Sequence, residues 1–134
     1  MPTLIDPAEI RRAIALLLAP GQVTEIRVLE GADRPGGRGF TRSGYFDSVD
    51  AIVAELGRLA SWQGAYLIPS PVDPILLARV SNRLEVAKRG ASTTDANVVR
   101  RRWLLVDFDP VVRGAGGVVV KGVAATDAEH DAAI

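Results

Sequence analysis

The sequence predicts a mixed α+β fold, because segments with helical periodicity alternate with segments that favour strands. Hydrophobic residues make up 48% of the 134 residues, which is enough to form a real core. A chain of this length fits one domain and leaves no room for two full-sized ones. Residues 1–134 are therefore predicted to form one domain-sized unit.

Four helices are predicted from capping signals at their first turns. The capping residues are Asp6 before Pro7, Asp47 and Ser48 before an apolar helical face, Asp73 before Pro74, and Thr126 with Glu129. Pro20-Gly21 ends the first helix. The third helix is short, and the fourth starts close to Ile134.

Four strands are predicted from β-branched and apolar residues between turn signals. They cover residues 22–30, 40–46, 64–68 and 100–109, and the third is expected to be buried. The fourth is the strongest, and Pro110 ends it. Loops are predicted over residues 31–39, which are rich in glycine, proline and arginine, and over the polar residues 85–97.

The strand over residues 100–109 carries the most informative chemistry. Because side chains alternate along a strand, Leu104, Val106 and Phe108 are predicted to face the core, and Asp107 and Asp109 the other side. Carboxylates at i and i+2 lie about 7 Å apart and can converge on one or two divalent cations. Oxygen ligands favour Mg²⁺ or Mn²⁺. The alternative is a solvated strand end that enters a turn at Pro110.

A local surplus of positive charge precedes these carboxylates. The basic residues are Arg79, Arg83, Lys88, Arg89, Arg100, Arg101 and Arg102, against Glu85 and Asp95. Such a cluster suits the phosphates of a nucleotide or a nucleic acid. A solvated loop between charged strand ends is the alternative interpretation.

Composition excludes several other classes of protein. Sixteen basic and sixteen acidic residues cancel, which argues against a wholesale electrostatic binder of nucleic acid. The absence of cysteine excludes disulfides and thiolate metal sites. No apolar run approaches the ~20 residues of a membrane span, so a cytoplasmic protein without membrane contact is expected.

Several segments together resemble a known family. They are Ser43-Gly44-Tyr45-Phe46-Asp47, Tyr66 with Pro69 and Pro71, Asn82-Arg83, Thr93-Thr94-Asp95, the run from Arg100 to Pro110, and the run from Ala124 to Glu129. In this order they resemble the primase-polymerases of phages and mobile elements, which belong to the archaeo-eukaryotic primase superfamily. The most specific match is the arginine run that leads into Val106-Asp107-Phe108-Asp109-Pro110.

The resemblance implies an α/β module that leads into an RNA-recognition-like sheet, with residues 1–134 as the N-terminal, incomplete portion of the catalytic domain. It implies that Asp107 and Asp109 bind Mg²⁺ or Mn²⁺ and form the first catalytic motif. Asn82, Arg83 and the run from Arg100 to Arg102 match recurrent family positions and are expected to bind nucleotide or nucleic acid. The implied partners are a single-stranded DNA template and nucleoside triphosphates, with a helicase domain in some members.

Two further functions are compatible with the residues. The family's later histidine motif and third acidic position have no match here, which suits a non-catalytic remnant that binds nucleic acid or nucleotide. It also suits a subunit whose missing half is supplied by a complementing chain.

Overall fold

The computed structural model describes residues 5–107, 111–120 and 126–132. The chain forms two compact units, Met1–Trp103 and Leu104–Ile134. The first unit contains the helices α1 (Pro7–Leu17) and α2 (Val49–Arg58) and a four-stranded sheet. The second contains a short hairpin and one helix. The predicted α+β class is confirmed, while the specific primase-polymerase core stays a prediction.

The sheet of the first unit is antiparallel throughout. Its strands are β1 (Thr24–Gly31), β2 (Phe40–Phe46), β3 (Gly64–Leu67) and β4 (Glu85–Val86). They are arranged in the order β3-β1-β2-β4, so the two long strands lie in the centre. Two 3-10 helices, Pro74–Ala78 and Asp95–Asn97, lie in the connections that flank β4.

Local capping determines where the helices begin. The Asp6 carboxylate accepts hydrogen bonds from the backbone N–H groups of Ala8 and Glu9 at 2.9 and 3.2 Å. Ser48 caps α2 in the same way, and Asp73 caps the first 3-10 helix. These side chains satisfy N–H groups that have no partner within the helix. The three predicted helix starts in this unit are therefore confirmed.

One face of the sheet packs against α1 and α2. The core residues on this side are Ile26, Val28, Phe46, Ile52, Leu56, Leu59 and Leu84. Ile26 and Val28 alternate along β1, as a half-buried strand requires, and Phe46 is fully buried. Complete burial of such a side chain contributes about 1.5–3 kcal/mol relative to exposure. This apolar layer leaves the opposite face of β1 and β2 available for polar residues.

The other face of the sheet is polar in its middle. In the register of the strands, Arg27 lies opposite Tyr66 of β3 and opposite Ser43 of β2. Ser43 in turn lies opposite Glu85 of β4. A smaller apolar cluster of Val23, Tyr45, Val72 and Leu76 lies toward one end of this sheet. We call the side that bears Arg27, Ser43 and Tyr66 the polar face.

Two sequence predictions about strands are wrong. The strand at residues 64–67, predicted to be buried, is an edge strand, and 59% of Tyr66 is exposed. Residues 100–107 form no strand. Leu104 and Val106, predicted to lie in the core, are 85% and 57% exposed. Strand propensity is not sufficient here, because a strand also needs a hydrogen-bonded neighbour, and residues 100–107 have none among the described strands. Phe108 and Asp109 lie outside the described residues.

The second unit holds β5 (Val112–Arg113) and β6 (Val119–Val120), which pair antiparallel, and α3 (Asp127–Ala132). Gly116 and Gly117 both adopt positive φ and make the turn between the strands. The helix predicted after Thr126 is confirmed. Across the described ranges, no helix is long and apolar enough to cross a membrane.

The tightest backbone approach in the sheet occurs at Gly44. A Cβ atom at this position would overlap the carbonyl oxygen of Arg83. We expect Gly44→Ala to lower the free energy of unfolding by about 1–3 kcal/mol, because the backbone must move apart. Gly57→Ala is the control, since its Cβ meets only the flexible end of Ile5 at 3.2 Å within a helix. It should be neutral or stabilising by up to about 1 kcal/mol. Urea denaturation measures both, and equal effects would contradict the expectation.

Candidate functional site

Residues 87–97, which we call the strap, cross the polar face of the sheet. The Ala87 N–H donates to the Thr41 carbonyl at 2.8 Å, next to β4. Further along, the Tyr45 hydroxyl hydrogen-bonds Thr93 Oγ1 at 3.1 Å. At its end, the Asn97 carbonyl accepts from the Asp73 N–H at 2.8 Å. The strap has little regular structure of its own, so these contacts determine its path.

The central contact beneath the strap is the buried carboxylate of Glu25. This residue is 4% exposed and lies on β1 between Thr24 and Ile26. It accepts hydrogen bonds from Ser43 Oγ at 2.6 Å and from the Thr93 N–H at 2.9 Å. The Arg27 guanidinium lies 3.3 Å from the same carboxylate. Glu25 therefore joins β1, β2 and the strap in one network.

The environment of Glu25 changes its acidity. Burial by itself raises the pKa of the Glu25 carboxyl, but the hydrogen bonds from Ser43 and Thr93 and the charge of Arg27 together lower it by more, so the pKa lies below its ordinary value. The group is consequently ionised at neutral pH. An ionised carboxylate that accepts several hydrogen bonds holds its partners more strongly than a neutral one.

Asn82 has a clear structural role. Its backbone adopts a positive φ of 51°, which asparagine tolerates better than most residues. Its side-chain amide donates to the Asp47 carboxylate at 2.7 Å and its Oδ1 accepts from the Asp47 N–H at 3.2 Å. Its own N–H donates to the Tyr45 carbonyl at 2.7 Å. Its assignment to nucleotide binding stays a prediction, and both ends of its amide are engaged by Asp47.

A basic cleft of about 430 Å³ lies between β2, β4 and the strap. We use this name for the cavity around Arg79, Lys88 and Arg89. Lys88 and Arg89 are exposed and make no ion pair within the part of the chain that the structure describes. Glu85 also lines the cleft, but the predicted binding residue Arg83 neutralises it at 2.9 Å. The cleft therefore carries a net positive charge.

The arginine run from Arg100 to Arg102 lies beside the end of α1. Trp103 fixes this position, because its indole N–H donates to the Leu17 carbonyl at 2.8 Å. That carbonyl belongs to the last turn of α1, where such groups have no helical partner. Arg102 donates to Gln22 at 3.2 Å and lies 5.9 Å from the Trp103 ring. Arg100 and Arg101 are exposed and have no partner within the described ranges.

A largely apolar cavity of about 360 Å³ lies between the end of α1, the start of β1 and the start of α2. Gln22, which Arg102 contacts, lines one part of it, and Asp47, which Asn82 contacts, lines another. The structure thus brings two of the predicted binding residues, Asn82 and Arg102, to the surroundings of one cavity. Arg83 points instead to Glu85 and the basic cleft.

The predicted metal ligands lie in the second unit. Asp107 is exposed, and Asp109 falls outside the described residues. Within the described ranges, no three histidine, cysteine, aspartate or glutamate side chains gather as a metal site would require. An exposed carboxylate still suits Mg²⁺, which keeps several waters and binds through one or two carboxylates together with substrate phosphates.

Glu25 and Arg27 are functional candidates that the sequence interpretation missed. Glu25 and Arg27 alternate with Ile26 and Val28 along the chain, which is typical of the solvated side of a half-buried strand. Nothing local indicates that a strap more than 60 residues later covers them. The predicted basic residues Lys88 and Arg89 and the resemblance of Thr93-Thr94-Asp95 pointed to the strap, but neither indicated Glu25 or Arg27.

The network around Glu25 predicts a specific pH dependence. Because its pKa is below the ordinary value of 4.5, the carboxylate stabilises the fold above that pH, and this contribution disappears as pH falls through the folded-state pKa. We expect Glu25→Gln to cost about 1–3 kcal/mol at pH 7. The difference from wild type should shrink as pH falls below about 4.5.

Urea titrations between about pH 3 and pH 7 measure this effect. Glu9→Gln is the control, since Glu9 forms only an exposed pair with Arg12 at 2.8 Å and should change stability by less than about 1 kcal/mol. A constant difference between wild type and Glu25→Gln over the whole pH range would contradict the assignment.

No family model, no curated protein and no solved structure matches this chain. The family resemblance therefore rests on the sequence motifs alone. What the structure adds is the spatial relation of the residues within them.

Proposed function

We propose that this chain is the N-terminal portion of a primase-polymerase-type nucleotidyltransferase domain, which synthesises primers on single-stranded DNA. One observation carries the proposal. Residues from three separate segments of the resemblance contact one another: Tyr45 bonds Thr93 at 3.1 Å, and Asp47 bonds Asn82 at 2.7 Å. These contacts support the proposal, because residues that serve one function must lie close together in space.

In this proposal, Asp107 and Asp109 hold the divalent cations. Mg²⁺ or Mn²⁺ would position the triphosphate, lower the pKa of the attacking hydroxyl and stabilise the charge on the leaving pyrophosphate. The chain's own contribution is a pair of carboxylates that follow Trp103 in the sequence. The exposed state of Asp107 leaves its oxygens free to bind a cation that brings its own waters.

The exposed basic side chains of the first unit favour binding of a polyanion such as DNA. Arg100 and Arg101 are exposed and unpaired within the described residues, as are Lys88 and Arg89 at the basic cleft. Each such cation can neutralise a phosphate and release a counterion. Because the net charge of the whole chain is zero, this surplus of positive charge is local and is balanced by acidic residues elsewhere in the sequence.

The segment between Trp103 and Asp107 carries exposed apolar side chains that another protein surface is expected to cover. Leu104 and Leu105 are 85% and 91% exposed. Consecutive apolar side chains in water are unfavourable, and such patches mark surfaces that bind another part of a protein. A further part of the catalytic domain or a complementing chain would cover them, which agrees with a partial domain.

A second candidate function is a non-catalytic nucleic-acid-binding module. It is favoured by the position of Asp107 in a different unit from the basic residues and by the lack of a third carboxylate beside it among the described residues. Such a module would bind DNA in a salt-dependent way that does not respond to Mg²⁺.

Metal binding separates these two functions. We expect the chain to bind Mn²⁺ in the presence of a deoxynucleoside triphosphate, detected by electron paramagnetic resonance. Asp107→Asn and Asp109→Asn should each weaken binding by at least about tenfold, because each removes an anionic oxygen ligand. Asp131→Asn, which removes an exposed carboxylate from α3, should have no effect. Equal Mn²⁺ binding by wild type and all three variants would favour the non-catalytic module.

DNA binding tests the arginine run. Replacing Arg100, Arg101 and Arg102 by alanine should make the negative slope of log affinity against log salt shallower by up to about 2, because each phosphate neutralised on a single strand contributes about −0.7 to that slope. The control replaces Arg12, Arg34 and Arg38, three exposed arginines outside the run, and changes the net charge equally. Fluorescence anisotropy with a labelled oligonucleotide gives both slopes. Equal slopes for the two variants would contradict a direct role of the run.

A further inference from the structure

Tyr66 is an exposed aromatic residue at the edge of the sheet. It lies on the edge strand β3, and 59% of it is exposed on the polar face. Its register partner on β1 is Arg27, so the two side chains are neighbours on the same side of the sheet. The core described above does not use the ring, and the proposed metal and arginine sites do not include it.

Tyr66 lines a cavity of about 250 Å³, which we call the polar slot. Leu67 and Ile68 contribute apolar lining, and Ser92 and Thr93 of the strap contribute polar groups. The slot therefore combines an aromatic surface, aliphatic groups and hydroxyls. That combination suits a flat heterocycle with polar edges.

The charges in the slot cancel. Glu25 is ionised, and the Arg27 guanidinium lies 3.3 Å from its carboxylate. The same guanidinium also hydrogen-bonds the Ser92 hydroxyl. Because Arg27 is already neutralised, the slot offers no free cation to a phosphate. A neutral ring is a better occupant than an anion.

Phosphate-binding cations are nevertheless available on the other side of the strap. The polar slot adjoins β1 and β3, whereas the basic cleft adjoins β2 and β4. Two strand spacings of about 4.8 Å place the two cavities on the order of 10 Å apart on one face. The strap separates them, with Ala91 lining the cleft and Ser92 the slot. A cationic groove beside an aromatic side chain is the arrangement that binds single strands.

We propose that the polar face binds single-stranded DNA, with one base stacked on Tyr66 in the polar slot and the neighbouring phosphates at Arg79, Lys88 and Arg89. This inference rests on the proposed function, from which it takes single-stranded DNA as the partner. It adds a binding subsite that does not involve the metal ligands. Stacking tolerates any base, so the site reads no sequence. The neutral slot and the positive cleft together match the alternation of bases and phosphates along a strand.

The test compares two oligonucleotides of about 12 nucleotides, a length within the range that single-strand-binding domains cover, one of deoxythymidines and one abasic. Each is titrated with wild type, Tyr66→Leu and Tyr66→Phe. We expect wild type to bind the thymidine strand about 5- to 150-fold more tightly than the abasic strand, from one stacked base. Tyr66→Leu should remove this preference, and Tyr66→Phe, which keeps the ring, should retain it. The salt slope should be the same in all three proteins, because Tyr66 contacts no phosphate.

Two results would overturn the inference. If Tyr66→Leu keeps the preference for bases, or wild type has none, the ring does not stack on a base, and a protein partner becomes the occupant to consider. If wild type binds neither strand, the DNA-binding part of the proposed function fails with it. Mn²⁺ binding at Asp107 is measured separately, so failure of the stacking site alone leaves the metal site standing. A Tyr66→Trp variant gives a direct readout, since base stacking should quench its added fluorescence.

Discussion

The buried carboxylate of Glu25 is the interaction on which the polar face depends. It accepts hydrogen bonds from Ser43 on β2 and from the backbone of Thr93 in the strap. The strap has no long strand or helix to hold it, so its middle is held by this carboxylate and by the Tyr45 hydroxyl, and its ends by backbone hydrogen bonds with Thr41 and Asp73. A buried charge without partners would cost several kcal/mol, and here each carboxylate oxygen has at least one hydrogen-bond donor. Because burial would make an unpaired carboxylate unfavourable, it also disfavours any arrangement in which Glu25 loses these hydrogen-bond donors.

This network also determines the shapes of the two cavities on the polar face. With the strap held over β1 and β2, the polar slot opens on one side and the basic cleft on the other. Glu25 neutralises Arg27 in the slot, whereas Lys88 and Arg89 at the cleft make no ion pair among the residues described. One carboxylate thus separates a neutral surface from a cationic one. A sheet face with both surfaces is suited to a ligand whose bases and phosphates alternate.

A different constraint applies to the segment that carries Asp107. Trp103 ties its start to the last turn of α1, and after that point the chain exposes Leu104, Leu105 and Val106. Backbone groups in such a segment gain strand geometry only when a neighbouring strand supplies donors and acceptors. A strand over residues 104–107 would therefore need a pairing partner that the described strands do not supply.

The sequence by itself determined the features that depend on neighbours along the chain. The capping side chains Asp6, Ser48 and Asp73 determined the helix starts, and apolar residues between turn signals indicated β1 and β2, because capping hydrogen bonds over two or three residues and turn signals are local. The tertiary structure decided what depends on residues distant in sequence. It placed Glu25 beneath a strap 68 residues away at Thr93, made β3 an exposed edge, and left residues 100–107 without a strand. Burial of a charge and pairing of a strand both require a partner from elsewhere in the chain, and periodicity contains no information about that partner.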